Sequence, residues 1–387
     1  MEVVRLGDIC KNLDNKRIPL NSVERNKKFK KGLYPYIGAN NIVGYIDEYI
    51  FDEKILCIAE DGGSWGLGEQ CAKIYSGKTW VNNHAHVLIE NGKANLEYLK
   101  GYLNATDLNK YITGSTRGKL TKTALENIKI LLPSLQEQIR IAGILTQAEN
   151  LITQRKESIL LLDELLKSTF LEMFGDPLGN PKKFPIKKLN EFYISPKEGT
   201  KCGPFGSALK KDEYKSEGIP VWVMDNISKN GEFLEKNSLW VDLKKFNDLK
   251  SYSVINNDVI ISRAGTVGKM CVVKTNQKFS LISTNLIRVR FGENLLPLHF
   301  VSLMKYSIER VAKLRTGAEG TFTHMNTGIL DNIIFPYPPL KLQNQFASIV
   351  KKVDSLKREY QASLTELENM YGVLSQKAFK GELKIKQ

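Results

Sequence analysis

Four groups of residues have types suited to catalysis or metal binding, and none has the spacing that chemistry requires. Gly265-Thr-Val-Gly-Lys269 has the glycines and lysine of a phosphate loop. It has too few residues between its glycines and has Met270 where a Ser or Thr must hold a metal ion. Tyr337-Pro338-Pro339 has paired prolines without the leading Asn or Asp of a catalytic Asn/Asp-Pro-Pro-Phe/Tyr motif. His84 and His86 lie two apart, as metal ligands on one strand face can, with no His or Cys pattern nearby to complete a site. A polar cluster at a strand end is the better reading, and the expected metal set is none. The five cysteines, Cys10, Cys57, Cys71, Cys202 and Cys271, are scattered without CxxC. That argues against a zinc site or a disulfide framework and suits a reducing cytoplasm. The expected catalytic set is therefore empty, and the chain reads as a non-enzyme.

Recognition chemistry is better supplied. The net charge is +14, which favours a polyanionic partner. Base edges in a duplex need forked donors and acceptors, phosphates accept from Lys, Arg, Ser, Thr and bare amides, and glycine loops allow close approach. In the first half the candidates are Asn40, Asn41, Asp61, Gly62, Gly63, Ser64, Trp65, Asn82, Asn83, His84, Arg117 and Lys119. In the second they are Gly203, Phe205, Ser207, Asp225, Asn226, Arg263, Gly265, Thr266, Thr284, Asn285, Arg315 and Thr321. An ordinary turn or strand end is the alternative for any one of them. The run Arg25-Asn-Lys-Lys-Phe-Lys-Lys31 reads most simply as a solvated loop.

The elements that must carry these loops occur twice. Gly114–Phe174 aligns without a gap on Glu319–Phe379, a shift of 205 residues. Leu125, Asn127, Ile128, Pro133, Leu135, Gln138, Ala142, Leu162 and Phe174 meet identical residues. Upstream, Ile55–Gly62 resembles Asp258–Gly265, and Asn82–Leu88 resembles Ser283–Val289. Short strands at Tyr34–Ile37, Lys54–Ala59, Ala72–Tyr75 and Ala85–Ile89 are expected, with a helix near Asn95–Ala105. Each half then ends in a helix of about forty residues, too long an apolar stripe for an ordinary core helix.

The first long helix starts after Pro133-Ser134, capped by Ser134 and Glu137, and stops at Gly175 before Pro177. Its expected a and d positions are Ile141, Ile144, Ala148, Leu151, Arg155, Ser158, Leu162, Leu165 and Thr169. Leu145, Ile152, Ile159 and Leu166 widen the stripe. The second series is Phe346, Ile349, Val353, Leu356, Tyr360, Ser363, Leu367, Met370 and Leu374. Antiparallel pairing of the two helices would place the two globular regions at opposite ends, about a pseudo-twofold axis near Arg155 and Tyr360. The expected fold is α+β: two similar mixed domains joined by an antiparallel coiled coil. The expected boundaries are 1–133, 134–175, 176–338 and 339–387. No membrane span or signal peptide is read from the sequence, so a cytoplasmic location is expected.

Taken in order, these motifs resemble the specificity subunit of type I restriction-modification enzymes. The resemblance rests on the duplicated plan, on Gly203-Pro-Phe-Gly-Ser207 with Gly218-Ile-Pro-Val221, on Asp258–Gly268, and on Pro338-Pro-Leu340 leading to Gln343-Asn-Gln-Phe-Ala347. Asp61-Gly-Gly63 and Asn82-Asn-His-Ala-His86 in the first half look like a different recognition subtype. The resemblance implies two target-recognition domains, each reading half of a bipartite site in double-stranded DNA. It implies paired helices that dock two methyltransferase subunits, with restriction subunits as optional further partners. S-adenosylmethionine, ATP and Mg would sit on those partners, with no cofactor in this chain. A stand-alone DNA-binding regulator with two reading heads and a coiled-coil protein scaffold remain as alternatives at this point.

Overall fold

The computed structural model describes residues 1–39, 41–114, 116–205, 208–236, 239–264, 267–307 and 325–383. It forms two compact units, Met1–Ser158 with Tyr360–Gln387, and Ile159–Glu359. The division cuts both long helices, Leu135–Phe174 and Leu340–Lys380, so it differs from the boundaries that composition suggests.

In the first unit, a four-stranded antiparallel sheet runs in the order Cys10–Asn12, Ala85–Glu90, Ile55–Ala59, Ala72–Tyr75. Ile55–Ala59 is buried along its whole length, as an apolar central strand should be. A second sheet has the order Ile42–Ile46, Tyr34–Ile37, Lys78–Val81, Phe51–Asp52, with the middle pair parallel. Glu2–Arg5 pairs with Lys129–Leu132 as a separate ribbon. The core gathers Leu56, Ile58 and Leu88 from the main sheet, and Leu96, Tyr98 and Leu99 from the helix Leu96–Asn104.

The second unit repeats the wiring. Thr200–Cys202, Leu286–Val289, Val259–Ser262 and Met270–Val272 make the antiparallel sheet. Trp240–Val241, Ile219–Trp222 and Leu281–Ile282 make the second, again with a parallel pair. Ile186–Lys188 pairs with Ile334–Pro336. The helix Pro297–Lys305 takes the place of Leu96–Asn104.

Each long helix is tied to its own half by a buried glutamine. Gln138 accepts from the Asn95 amide at 2.9 Å and donates to the Pro133 carbonyl at 2.9 Å. Gln343 does the same with the Leu296 amide and the Pro338 carbonyl, both at 3.0 Å. Both are fully buried, and each satisfies the first free amide of a short helix, which otherwise has no partner. Ser134 and Glu137 form the expected reciprocal cap, and Gly175 ends the first helix with a φ of 73°.

The helices run antiparallel within each unit. In the first, Tyr371 donates to Glu149 at 2.7 Å, Lys156 pairs with Glu368 at 2.8 Å, and Arg155 lies 4.3 Å over the Tyr360 ring. Phe379 packs edge-on to Tyr98 and Tyr102. In the second, Lys357 pairs with Asp163 at 3.1 Å, and Phe346 packs edge-on to Phe170 and Phe174.

The seam corrects half of the expected heptad. Ile141, Ala148, Arg155 and Leu162 face it, as do Phe346, Val353, Tyr360, Leu367 and Leu374. Leu151, Leu165 and Met370 are exposed, and Ile144, Ile349 and Leu356 sit at the margin. Adjoining residues are buried instead: Leu145 and Leu166, part of the expected widening of the stripe, on one helix, and Val350 and Leu364 on the other. Leu165 is 50% exposed and Leu166 only 5%. One residue is a 100° rotation, and both neighbours are apolar at most of these positions, so hydrophobicity alone does not choose between them. Among the described residues, no helix is long and apolar enough to cross a membrane.

Candidate nucleic-acid interface

Three loops converge at one edge of the first domain. Ile55–Ala59 delivers Glu60 and Asp61, Asn82–His84 precedes the strand Ala85–Glu90, and the stretch 116–119 closes back on the first of these loops. Backbone bonds fix them: Glu60 donates to His84 at 2.9 Å, Gly62 to Gly118 at 3.1 Å, and Leu120 to Glu60 at 2.7 Å. Gly62 has a φ of 61° and lies where a Cβ would meet the Arg117 guanidinium at 2.8 Å, so a larger residue would expel that arginine.

Charge is balanced within this edge. Asp61 takes Arg117 at 2.9 Å and the His84 Nδ1 at 2.9 Å. Glu60 takes Arg17 at 2.6 Å and Lys119 at 3.2 Å. Behind them, buried His86 contacts Asp14 through Nδ1 at 2.6 Å and the Leu120 carbonyl through Nε2 at 2.8 Å. Burial works to raise the Asp14 carboxyl, but hydrogen bonds from His86, Val87 and Asn12 carry it below its ordinary value. Asp14, Glu60 and His86 are close enough together to hold a metal ion. Both imidazole nitrogens already face oxygen acceptors, and the Arg17 guanidinium supplies the positive charge, so the donor set does not suit a cation. His84 and His86 do not share a site: the first faces the surface carboxylate and the second is inside.

The second domain builds the corresponding edge with different side chains. Arg263 donates its amide to Asn285 at 2.9 Å, and Met325 donates to Arg263 at 3.0 Å. These match the Glu60–His84 and Leu120–Glu60 bonds of the first domain, so Arg263 stands where Glu60 stands and Asn285 where His84 stands. The Arg263 guanidinium lies 4.5 Å over the exposed Phe205 ring. Its Nη1 is buried and has no hydrogen-bond partner among the described residues. Gly203 lies so close to this edge that a Cβ there would sit 1.9 Å from the Ser283 carbonyl oxygen, which excludes every other residue.

Several expected contacts turn out to support the loops. Trp65 is buried and donates to the Ala59 carbonyl at 3.2 Å. Asn82 is buried and accepts from the His84 amide at 2.7 Å. Asn226 is buried, accepts from Val223 and donates to Leu234 and Lys236. Gly203 is buried as described, and Gly63 and Thr284 are half-buried. Exposed are Asn41, Gly62, Ser64, Asn83, Arg117, Lys119, Phe205, Asp225 and Asn285, with Asn41 accepting from Lys73. Asn40, Ser207, Gly265, Thr266, Arg315 and Thr321 lie outside the described residues. The basic run is not a plain loop: Ser22–Lys27 is a helix capped by Asn21 and Glu24, and Lys28 pairs with Glu48. Arg288 and Arg290 have the right type for reading bases, but Arg288 is fully buried on Ser253 and Glu198, and Arg290 forks onto Asp258 at 2.7 and 2.8 Å.

One scaffold built twice, with different side chains at equivalent loop positions, defines a recognition protein with paired reading domains. The sequence pattern of the type I restriction modification DNA specificity domain matches residues 1–161 and 203–369, and the chain belongs to that family. DNA target recognition is the family's function. A Haemophilus influenzae protein assigned as a type I restriction enzyme specificity subunit is 27% identical over 358 residues, 91% of this chain and 87% of its own. The MjaVIII specificity subunit of Methanocaldococcus jannaschii is 24% identical over 383 residues, 92% of this chain and 86% of its own. The crystal structure of a type I restriction-modification S subunit from M. genitalium superposes with a TM-score of 0.61 at 15% identity, covering 100% of this chain and 96% of that one. A structure from work on complex assembly and conformational transition in a type I system gives 0.56 at 17% identity, covering 99% and 98%.

Proposed function

We propose that this chain is the non-catalytic subunit that reads a bipartite DNA target for an adenine-N6 methyltransferase complex. Each domain reads one half-site in double-stranded DNA, and the paired helices set the spacer between them. The helices dock two methyltransferase subunits, which carry S-adenosylmethionine. Restriction subunits, with ATP and Mg, are further partners. The observation that carries this reading is the exchange of Glu60 for Arg263 at one strand end of one scaffold, which changes what is read without changing how it is held. Arg263 is the leading base reader of the second domain, because it stands at the strand end that carries the recognition loop and a guanidinium can fork onto the N7 and O6 acceptors of guanine. Exposed Leu151, Leu161 and Leu165 on the first long helix supply apolar surface for a subunit to cover.

The test is co-purification with a methyltransferase followed by methylation mapping in cells carrying both. The expected outcome is methylated adenine within one split target. Exchanging the loops of one domain should alter one half of that target and leave the other intact. A continuous target, or changes in both halves, would overturn the reading.

A further inference from the structure

We infer that His84 specifies an amino-bearing base, adenine or cytosine, in the half-site read by the first domain. The inference rests on the proposal that this edge reads DNA, and it adds the chemistry of the base.

His84 Nδ1 lies 2.9 Å from both oxygens of Asp61. A carboxylate only accepts, so Nδ1 must carry the hydrogen. In the neutral ring the other nitrogen, Nε2, then bears a lone pair. That nitrogen has no hydrogen bond among the described residues, and the side chain is 42% exposed. Asp61 cannot turn away, because Arg117 holds the same carboxylate at 2.9 Å. His84 is therefore fixed from behind with an acceptor presented outward.

An outward acceptor discriminates sharply in the major groove. Adenine N6 and cytosine N4 donate there, whereas guanine O6 and thymine O4 accept. A phosphate also accepts, so a neutral Nε2 has nothing to offer it. At the equivalent position the second domain has Asn285, whose amide can donate and accept. The first domain thus has the more restrictive group at this place. Asp61 is a positioning residue: it sets which nitrogen faces outward.

The test uses the full chain with its methyltransferase partner on duplexes carrying the mapped target. His84→Ala should relax the preference at one base pair of the first half-site by about 5- to 30-fold, the worth of one unmet hydrogen bond in a closed interface. The base preferred there by the unsubstituted protein should be adenine or cytosine on the strand being read. Replacing that base by purine or pyrimidin-2-one, which lack only the amino group, should cost the unsubstituted protein the same factor and cost His84→Ala nothing further. Asp61→Asn retains an acceptor for Nδ1–H and should keep most of the preference, whereas Asp61→Ala should lose it. A preferred guanine or thymine at the relaxed position would overturn the inference, as would a uniform loss of affinity across sequences, the mark of a cationic ring on phosphate. Unchanged recognition by His84→Ala would overturn it while leaving the reading of a bipartite target standing. Loss of all site preference in the unsubstituted complex would instead overturn that reading.

Discussion

Acidification should open the second unit through one side chain, His299. It is 1% exposed, stacked on Phe170 at 5.8 Å and edge-on to Phe174 at 4.6 Å. Neither ring nitrogen has a hydrogen-bond partner among the described residues. Burial alone drives its pKa down to about 3, from an ordinary 6.5. The folded state thus keeps the ring neutral while the unfolded chain protonates it, so the unfolded state binds more protons between those values. Stability is complete above pH 6.5 and falls as the pH drops toward 3. Each pH unit across that window costs about 1.4 kcal/mol, which gives about 2 kcal/mol by pH 5 and about 5 kcal/mol in full. Amide hydrogen exchange along Pro297–Lys305 reads the local opening free energy directly. Between pH 7.5 and 5 it should fall by about 2 kcal/mol more in the native chain than in His299→Leu, which has similar volume and no proton to take up. Equal pH dependence in the two proteins would mean that the ring is protonated in place or reaches solvent, and would refute the reasoning.

Four further outcomes are expected. Gln343→Ala leaves the Leu296 amide and the Pro338 carbonyl without their partner, and should lower stability by about 2–4 kcal/mol in denaturant unfolding, with Gln138→Ala behaving alike at the other site. Arg263→Ala should relax one position of the second half-site by about 1–3 kcal/mol and leave the first half-site unaltered in methylation of randomised duplexes. A matched insertion of four residues after Gln154 and Glu359 adds about 6 Å to each helix. It should lengthen the preferred spacer by about two base pairs at roughly 3.4 Å each, and methylation mapping that returns the original spacer from an active complex would separate helix length from target geometry. Equilibrium dialysis of the isolated chain with labelled S-adenosylmethionine should show no stoichiometric binding, since no catalytic or cofactor motif is present in the sequence.

The architecture was legible because it is written twice. The 205-residue repeat locates both long helices, the cap at Ser134 and the stop at Gly175, and short alternating runs locate the strands of the main sheet. Loop chemistry was less legible. Asn82, Asn226 and Trp65 have the residue types that touch DNA, but turns and cores use the same types, and only burial separates the two uses. Arg288 and Arg290 show the converse: strand arginines that face inward because Glu198 and Asp258, distant in sequence, meet them there. Gln138 and Gln343 stood out as identical residues, yet nothing local reveals that each reaches the start of a short helix 43 or 47 residues upstream. Part of the helix seam was missed by one residue because apolar residues adjoin one another, as at Ile144-Leu145, Leu151-Ile152 and Leu165-Leu166 on the first helix and Ile349-Val350 on the second. Lys357 could not be read as a seam residue at all, since its burial depends on Asp163 across the pair.

The composition of the first unit has a consequence for its synthesis. It needs Met1–Ser158 and also Tyr360–Gln387, so its last helical strip is made long after its first part. The ribosome must make about 200 residues between the two pieces, which takes roughly 10–40 s at ordinary elongation rates. During that interval Tyr98, Tyr102 and Leu145 await the Phe379 that will cover them. The domain that is translated first is therefore finished last, and a ribosome stalled anywhere in the second half leaves an apolar face open on the first. Nascent chains of this protein should engage chaperones through their N-terminal half until Tyr360–Gln387 has emerged. Emergence of Tyr360–Gln387, rather than of Met1–Ser158, should be the moment at which that half becomes resistant to proteolysis.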